Sequence, residues 1–132
     1  FPDDVLTGKN LNDEPQIKEI TNIKDDDIIL DIGPKTLDKI KRIIENSETV
    51  LWNGPAGYFE NPNFANGSYD IAKAITKKNK SNSIYSVVGG GDTIALINKI
   101  KLIENFNFVS TAGGAFLEYL EGKELPGIKA LN

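Results

Sequence analysis

The sequence contains neither cysteine nor histidine, and these two absences exclude several kinds of functional site. Without cysteine, the chain cannot form disulfide bonds or thiolate metal sites, which fits a protein of the reducing cytoplasm. Without histidine, it lacks the commonest general base and the commonest metal ligand. Any metal site must therefore use oxygen ligands and hold a hard cation.

Methionine is also absent, even at position 1, and the chain opens on the strand-like segment Phe1-Pro2-Asp3-Asp4-Val5-Leu6. We therefore expect the 132 residues to be a single domain that belongs to a longer protein. No apolar run approaches the roughly 18 residues of a transmembrane helix, and no signal-peptide pattern is present, so no membrane partner is predicted. The formal net charge of −4 argues against a nucleic-acid partner.

Short apolar runs alternate with amphipathic segments along the chain. The predicted strands are Val5–Thr7, Ile28–Ile32, Thr49–Trp52, Ile84–Val88 and Phe106–Ser110. Thr36 is predicted to cap one helix, the other predicted helices begin at Ser68, Thr93 and Ala115, and residues 125–128 are predicted to be an irregular tail. Because such alternation is typical of βαβ units, the predicted fold class is α/β: a three-layer, Rossmann-like parallel sheet with helices on both faces.

Glycine-containing turns follow four of the predicted strands. They are Gly33-Pro34, Asn53-Gly54-Pro55, Gly89-Gly90-Gly91 and Ala112-Gly113-Gly114. In a parallel sheet with right-handed crossovers, the carboxyl ends of the strands share one edge, and ligands of open α/β sheets bind at that edge. The pattern therefore predicts one binding site, formed where the four turns meet.

The turn from Gly89 to Thr93 has the composition of an anion site. A strand, three glycines and a helix N-terminus bring free N–H groups and the positive end of the helix dipole together. Asp92 has two interpretations here, because a bare carboxylate repels phosphate. It either caps the helix, which this stretch alone favours, or holds a Mg²⁺ ion that rides on the phosphates.

Five motifs occur in a specific order and spacing. They are Trp52-Asn53-Gly54-Pro55, Gly57-Tyr58-Phe59-Glu60, Gly89-Gly90-Gly91-Asp92-Thr93, Ser110-Thr111-Ala112-Gly113-Gly114-Ala115 and Leu125-Pro126-Gly127. Together they resemble the nucleotide-binding C-terminal domain of phosphoglycerate kinases, and the resemblance extends over nearly the whole chain. It implies that residues 1–132 form most of that domain, that the N-terminal domain is absent from this sequence, and that the parent is a monomer.

The resemblance also implies a reaction and a set of site residues. The family transfers a phosphoryl group between 1,3-bisphosphoglycerate and Mg-ADP in glycolysis, giving 3-phosphoglycerate and Mg-ATP. The positions that match its nucleotide contacts are Asn53, Gly54, Pro55, Tyr58, Glu60, Gly90, Gly91, Asp92 and Thr93. Asp92 matches the Mg²⁺ ligand, and Gly91, Gly113 and Gly114 match catalytic positions, the last two facing the transferring phosphoryl group.

Some positions differ from the family pattern, and a second class of function stays open. Ala112, Phe116, Ile29 and Tyr58 replace residues that are usual in the family. The alternative function is a non-catalytic α/β module that binds nucleotides, anions or a partner and keeps the turns as structure. A dinucleotide dehydrogenase is disfavoured, because no G-x-G-x-x-G motif follows the first strand. We expect the isolated chain to be inactive, because it would hold one substrate only.

Overall fold

The computed structural model describes residues 1–131, and that range contains six strands and five α-helices. The strands are β1 (Asp4–Gly8), β2 (Gln16–Glu19), β3 (Ile28–Ile32), β4 (Thr49–Asn53), β5 (Tyr85–Gly89) and β6 (Phe108–Ser110). The helices are α1 (Pro34–Glu45), α2 (Asn66–Asn79), α3 (Gly91–Lys99), α4 (Gly114–Leu120) and α5 (Pro126–Lys129). The predicted α/β class is confirmed, whereas the predicted irregular tail is wrong, because α5 lies there.

Strands β4, β5 and β6 form the predicted parallel sheet, with β5 in the centre. In its register, Asn53 pairs with Gly89, and Gly89 pairs with Ser110. The last residues of three strands therefore lie side by side at one edge, which we call the rim. The three turns that leave the rim are residues 54–55, 90–91 and 111–114.

The first three strands form a separate antiparallel sheet in the order β2-β1-β3. Because β3 pairs with β1 and not with β4, the prediction that Gly33-Pro34 joins the other turns at the rim is wrong. The alternation of strands and helices predicted the parallel part but could not show which strands pair. Strand β2 was not predicted, since its residues are polar or exposed.

The core lies between α1, α2, α3 and one face of the parallel sheet. Its buried members are apolar side chains from these elements and from the loops beside them: Ile44, Trp52, Ile71, Ala72, Ile75, Ile84, Val88, Leu96, Ile97 and Phe106. The Trp52 and Phe106 rings lie 6.5 Å apart, centroid to centroid, at a tilted angle. Within residues 1–131, none of the helices is long and apolar enough to span a bilayer.

The opposite face of the parallel sheet carries large apolar side chains that are half exposed. Leu51, Tyr85 and Phe108 are 43%, 52% and 50% exposed. Helix α4 reaches this face through Phe116, whose Cδ1 lies 3.5 Å from the point where Gly89 would carry a Cβ. Parallel sheets are usually covered on both faces, so this face is incompletely covered by the described part of the chain.

Helix α1 is capped by a strand of the antiparallel sheet. The helix begins at Pro34 after Gly33, so the prediction that Thr36 caps it is wrong. The Asp4 carboxylate of β1 accepts hydrogen bonds from the N–H groups of Lys35 (3.1 Å) and Thr36 (2.8 Å). The Thr36 hydroxyl accepts from the N–H groups of Asp3 and Asp4. A side chain distant in sequence thus satisfies the first N–H groups of the helix.

Two buried aspartates have opposite pKa shifts. Burial by itself would raise the pKa of Asp4, but the hydrogen bonds from Thr36 and Lys35 outweigh burial and lower it. Burial raises the pKa of Asp31, and the N–H groups of Gly67 and Ile32 offset this only in part. Both side chains belong to residues that are 1% exposed. The surroundings of Asp4 lower its pKa further, because the Thr36 hydroxyl and the positive charge of Lys35 are also close to its carboxylate, whereas Asp31 has only its two backbone donors within residues 1–131.

These shifts predict opposite pH dependences for two conservative variants. Ionised Asp4 stabilises the fold above the unfolded pKa of about 3.9, and this contribution is lost as the pH falls through the lower folded pKa. Asp4→Asn should therefore destabilise most at neutral pH, by about 1–3 kcal/mol, and less below about pH 4. Ionised Asp31 opposes folding above its raised pKa, so Asp31→Asn should destabilise less at neutral pH than near pH 4. Urea unfolding of both variants across this range measures the trends, and parallel trends would contradict the assignment.

Candidate nucleotide-phosphate site

The rim is shaped by backbone that only glycine adopts readily. Gly54, Gly90 and Gly113 have φ angles of +99°, +90° and +57°, one in each of the three turns. A Cβ placed on Gly54 or Gly113 would meet no atom within 4 Å, so these turns face open space. Side chains are absent where a ligand would approach, and backbone groups are exposed there instead.

The second turn starts α3 without a side-chain cap. Gly90 is the N-cap residue, and no side chain of the described residues 1–131 accepts a hydrogen bond from the first N–H groups of the helix. Asp92 is the second residue of the helix and is exposed, so the interpretation of Asp92 as the cap is wrong. A Cβ on Gly91 would also meet open space. The N-terminus of a nine-residue helix is therefore accessible to an anion.

The first and second turns are bound directly to each other. The N–H group of Gly54 donates a 2.8 Å hydrogen bond to the Thr93 hydroxyl, and Thr93 is fully buried. The side-chain oxygen of Asn53 lies 3.0 Å from the point where Gly90 would carry a Cβ. Four of the predicted site residues are thus brought together. Thr93 joins the two turns, so in this structure its hydroxyl is already engaged as an acceptor.

Pro55, Tyr58 and Glu60 lie on the long loop between β4 and α2. The N–H group of Ala56 donates to the Ser68 hydroxyl (2.9 Å), and the N–H group of Tyr58 donates to the carbonyl of Leu30 (2.7 Å). Pro55 and Tyr58 are half-buried and Glu60 is exposed. Hydrogen bonds therefore hold this loop against β3 and α2. These bonds are separate from the one between Gly54 and Thr93 that joins the glycine turns.

The third turn resembles the second in its chemistry. Gly113 is the N-cap residue of α4, and in the part of the chain that the structure describes no side chain caps the helix. The hydroxyl of Ser110 accepts a long hydrogen bond of 3.4 Å from the N–H group of Ala112, and Thr111 is exposed. Gly114 is exposed and a Cβ on it would meet no atom within 4 Å. A second helix start with free N–H groups thus lies beside the first.

Asp92 supplies a carboxylate at the start of α3 that could bind a metal ion. No group of three or more acidic side chains that could hold a metal ion occurs within residues 1–131. Asp92 is exposed, and in the same range it forms no ion pair with lysine or arginine. One free carboxylate beside a phosphate site fits Mg²⁺, which usually binds one or two carboxylates and completes its shell with phosphates and water. It does not fit a metal held by protein alone.

A cavity of about 630 Å³ lies elsewhere, between α1 and α2. Lys41 and Lys73 at its wall both pair with Asp70. The ammonium group of Lys78 donates to carbonyls at the end of α1, including that of Glu45. Because three of the four lysines that line the cavity already have partners within the protein, it is a less suitable anion site than the rim, despite its size.

The residues that hold the loop before α2 were not predicted from the sequence. Ser68 was predicted only as a helix start, although α2 begins at Asn66 and the Ser68 hydroxyl binds the loop. Asp31 was predicted only as part of a strand, although it accepts a hydrogen bond from Gly67. A polar residue inside an apolar strand was the available signal, since a buried carboxylate needs donors.

Comparison with known proteins gives one consistent result. The family model described as phosphoglycerate kinase matches residues 1–123. The chain is similar to phosphoglycerate kinases of Zymomonas mobilis (45% identity, 99% of this chain, 34% of the relative) and Chlorobium phaeobacteroides (47%, 100% and 34%). Among solved structures, it is similar to phosphoglycerate kinase from Coxiella burnetii, with a TM-score of 0.88, 40% identity, and coverage of 100% of this chain and 34% of that one. A phosphoglycerate kinase from Pyrococcus horikoshii gives a TM-score of 0.79 and 33% identity, with coverage of 98% and 31%.

The bond between Gly54 and Thr93 predicts a difference between two substitutions of Thr93. Thr93→Val removes the acceptor but keeps the shape, which leaves the Gly54 N–H group without its partner and should cost about 1–3 kcal/mol. Thr93→Ser keeps the hydroxyl and should cost less. Urea unfolding measures both free energies. Equal losses in the two variants would show that packing of the methyl group, and not the hydrogen bond, is what matters.

Proposed function

Because the chain belongs to the phosphoglycerate kinase family, we propose that its rim binds the Mg²⁺-nucleotide of a kinase that transfers a phosphoryl group between 1,3-bisphosphoglycerate and ADP. The observation that carries the proposal is the uncapped start of α3, at Gly90 and Gly91, beside the exposed carboxylate of Asp92. Free N–H groups can donate hydrogen bonds to the phosphates, and the carboxylate can bind a cation that the phosphates also bind.

The nucleotide would be held by the residues at and beside the rim. The N–H groups of Gly90 and Gly91 would donate to phosphate oxygens, and Asp92 would hold Mg²⁺. When bound, Mg²⁺ would neutralise part of the phosphate charge. Pro55 and Tyr58 would pack against the base, and Glu60 would accept a hydrogen bond from the ribose. The half-buried position of Tyr58 and the exposure of Glu60 support these two roles, since both side chains are accessible at the surface.

The third turn would donate hydrogen bonds to the phosphoryl group that is transferred. Phosphoryl transfer needs little covalent chemistry from protein; it needs alignment of the reactants and donors for the charge on the equatorial oxygens. Gly91, Gly113 and Gly114 would supply backbone donors from the two neighbouring helix starts. Their open surroundings support this role, because an anion can approach the backbone without meeting a Cβ. No nucleophilic side chain is needed, which agrees with the absence of histidine and cysteine.

The chain spans about a third of the length of the curated relatives it matches. We therefore propose that residues 1–132 are part of the nucleotide-binding C-terminal domain of a two-domain, monomeric, cytoplasmic kinase. The phosphoglycerate would bind to the N-terminal domain of that protein. The reaction would then depend on a partner domain that brings the second substrate to the rim.

Asp92→Asn should weaken the Mg²⁺-dependent part of ADP binding. The variant removes the charge that attracts the cation, so we expect about a tenfold loss of affinity for Mg-ADP, which corresponds to about 1.4 kcal/mol. Binding of ADP without Mg²⁺ should not fall. Calorimetric titration of the chain with ADP, with and without Mg²⁺, measures both affinities.

The matched control for Asp92→Asn is Asp38→Asn. Asp38 is also an exposed aspartate on a helix, but it lies on α1, away from the rim. It changes the net charge equally and should leave both affinities unchanged. If Asp92→Asn kept the wild-type dependence on Mg²⁺, Asp92 would not be a metal ligand.

The 132-residue polypeptide by itself should not form ATP from 1,3-bisphosphoglycerate and ADP. Positioning of both reactants is worth roughly 7–11 kcal/mol of the barrier, and this gain requires that both are held. A coupled assay of ATP formation on the purified polypeptide measures the turnover. A rate within about tenfold of the 1–100 s⁻¹ typical of kinases would show that the rim is sufficient alone.

A further inference from the structure

Asp31 is a buried carboxylate at the end of the antiparallel sheet nearest the loop before α2. It is 1% exposed, and within residues 1–131 it forms no ion pair with lysine or arginine. One carboxylate oxygen accepts from the N–H group of Ile32 and the other from that of Gly67, both at 2.9 Å. A buried charge with two backbone donors is costly to keep in a strand, where an apolar residue would pack at no such cost.

Two glycines make room for this carboxylate. A Cβ on Gly57 would lie 2.5 Å from a carboxylate oxygen of Asp31, and a Cβ on Gly67 would overlap the same oxygen. Neither glycine has a φ angle that excludes other residues, so space is what requires glycine at both positions. The carboxylate therefore lies between the two glycines that bound the segment of residues 58–66.

The residue before Asp31 binds the same segment at its other end. The carbonyl of Leu30 accepts a 2.7 Å hydrogen bond from the N–H group of Tyr58. Leu30 and Asp31 of β3 thus hold the first residue of the segment and the start of α2 that follows it. The segment contains Tyr58 and Glu60, and both are accessible at the surface.

We propose that Asp31 is a positioning residue for the nucleoside half of the ligand: its carboxylate, lying between Gly57 and Gly67, fixes the segment that presents Tyr58 and Glu60. This inference rests on the proposed nucleotide function of the rim. The glycine turn at residues 89–93 does not depend on Asp31, because the sheet register and the bond between Gly54 and Thr93 hold it. Loss of the Asp31 carboxylate should therefore affect the nucleoside half of the ligand and spare the phosphate half.

The experiment compares two probes on the 132-residue chain. Mg-ADP occupies both halves of the site, whereas Mg-pyrophosphate occupies the phosphate half only. In Asp31→Asn, we expect affinity for Mg-ADP to fall by about fivefold or more, as for the loss of one hydrogen bond, while affinity for Mg-pyrophosphate stays within about twofold. Circular dichroism at the titration temperature shows that each variant is folded.

Asp4→Asn is the matched control. Asp4 is equally buried and also accepts hydrogen bonds from the N–H groups at the start of a helix, but that helix is α1. Both affinities should stay within about twofold of wild type in this variant, even though it is destabilised. Gly67→Ala is a second test, because its Cβ would overlap the Asp31 carboxylate. It should reproduce the selective loss of Mg-ADP affinity.

The outcomes separate the inference from the function on which it rests. Unchanged Mg-ADP affinity in Asp31→Asn and Gly67→Ala overturns the inference, and so does an equal loss for both probes, which would indicate a general structural role. The inference is also overturned if wild-type protein binds Mg-ADP no more tightly than Mg-pyrophosphate, because the nucleoside would then contribute no affinity. Wild-type protein that binds neither probe overturns the proposed function itself.

Discussion

Parallel pairing of β4, β5 and β6 is the constraint on which the candidate site depends. It brings Asn53, Gly89 and Ser110 into one row, so that three chain segments leave the sheet at the same edge. Two of these segments enter helices at once, with glycine as the N-cap residue. The free N–H groups of both helix starts therefore meet at one place, and the site is built mainly from backbone. A backbone site requires the absence of side chains, which explains why glycine predominates in the turns.

Hydrogen bonds distant in sequence connect this rim to the rest of the fold. The Thr93 hydroxyl joins two turns of the rim, and the Asp31 carboxylate joins the antiparallel sheet to the start of α2. In the same way, the Asp4 carboxylate joins the antiparallel sheet to the start of α1. Polar side chains buried in this way are costly unless every acceptor has a donor, and here backbone N–H groups are the donors. The same interactions that close the fold thus set the positions of the loop and turns around the site.

The sequence predicted most of the parallel half of the fold and less of the antiparallel half. Apolar runs ended by glycine predicted β4, β5 and β6 and the rim between them, because buried parallel strands are continuous apolar segments. Strand β2 was missed, since an exposed edge strand has no such pattern, and the partner of β3 could not be derived from alternation alone. The positions of Gly90, Gly91 and Gly113 at helix starts were predicted from local chemistry. The contacts of Asp31, Ser68 and Thr93 depend on pairs of residues 12 to 39 positions apart, which no local pattern contains.

We propose that the rim, and not the cavity between α1 and α2, receives the phosphates. Titration of ¹⁵N-labelled protein with Mg-ADP, followed through the chemical shifts of backbone amides, tests it most directly. We expect the largest changes at Gly90, Gly91 and Asp92, with smaller changes at Gly113 and Gly114. Largest changes at Lys41, Lys73 and Lys77, which line the cavity, would contradict it.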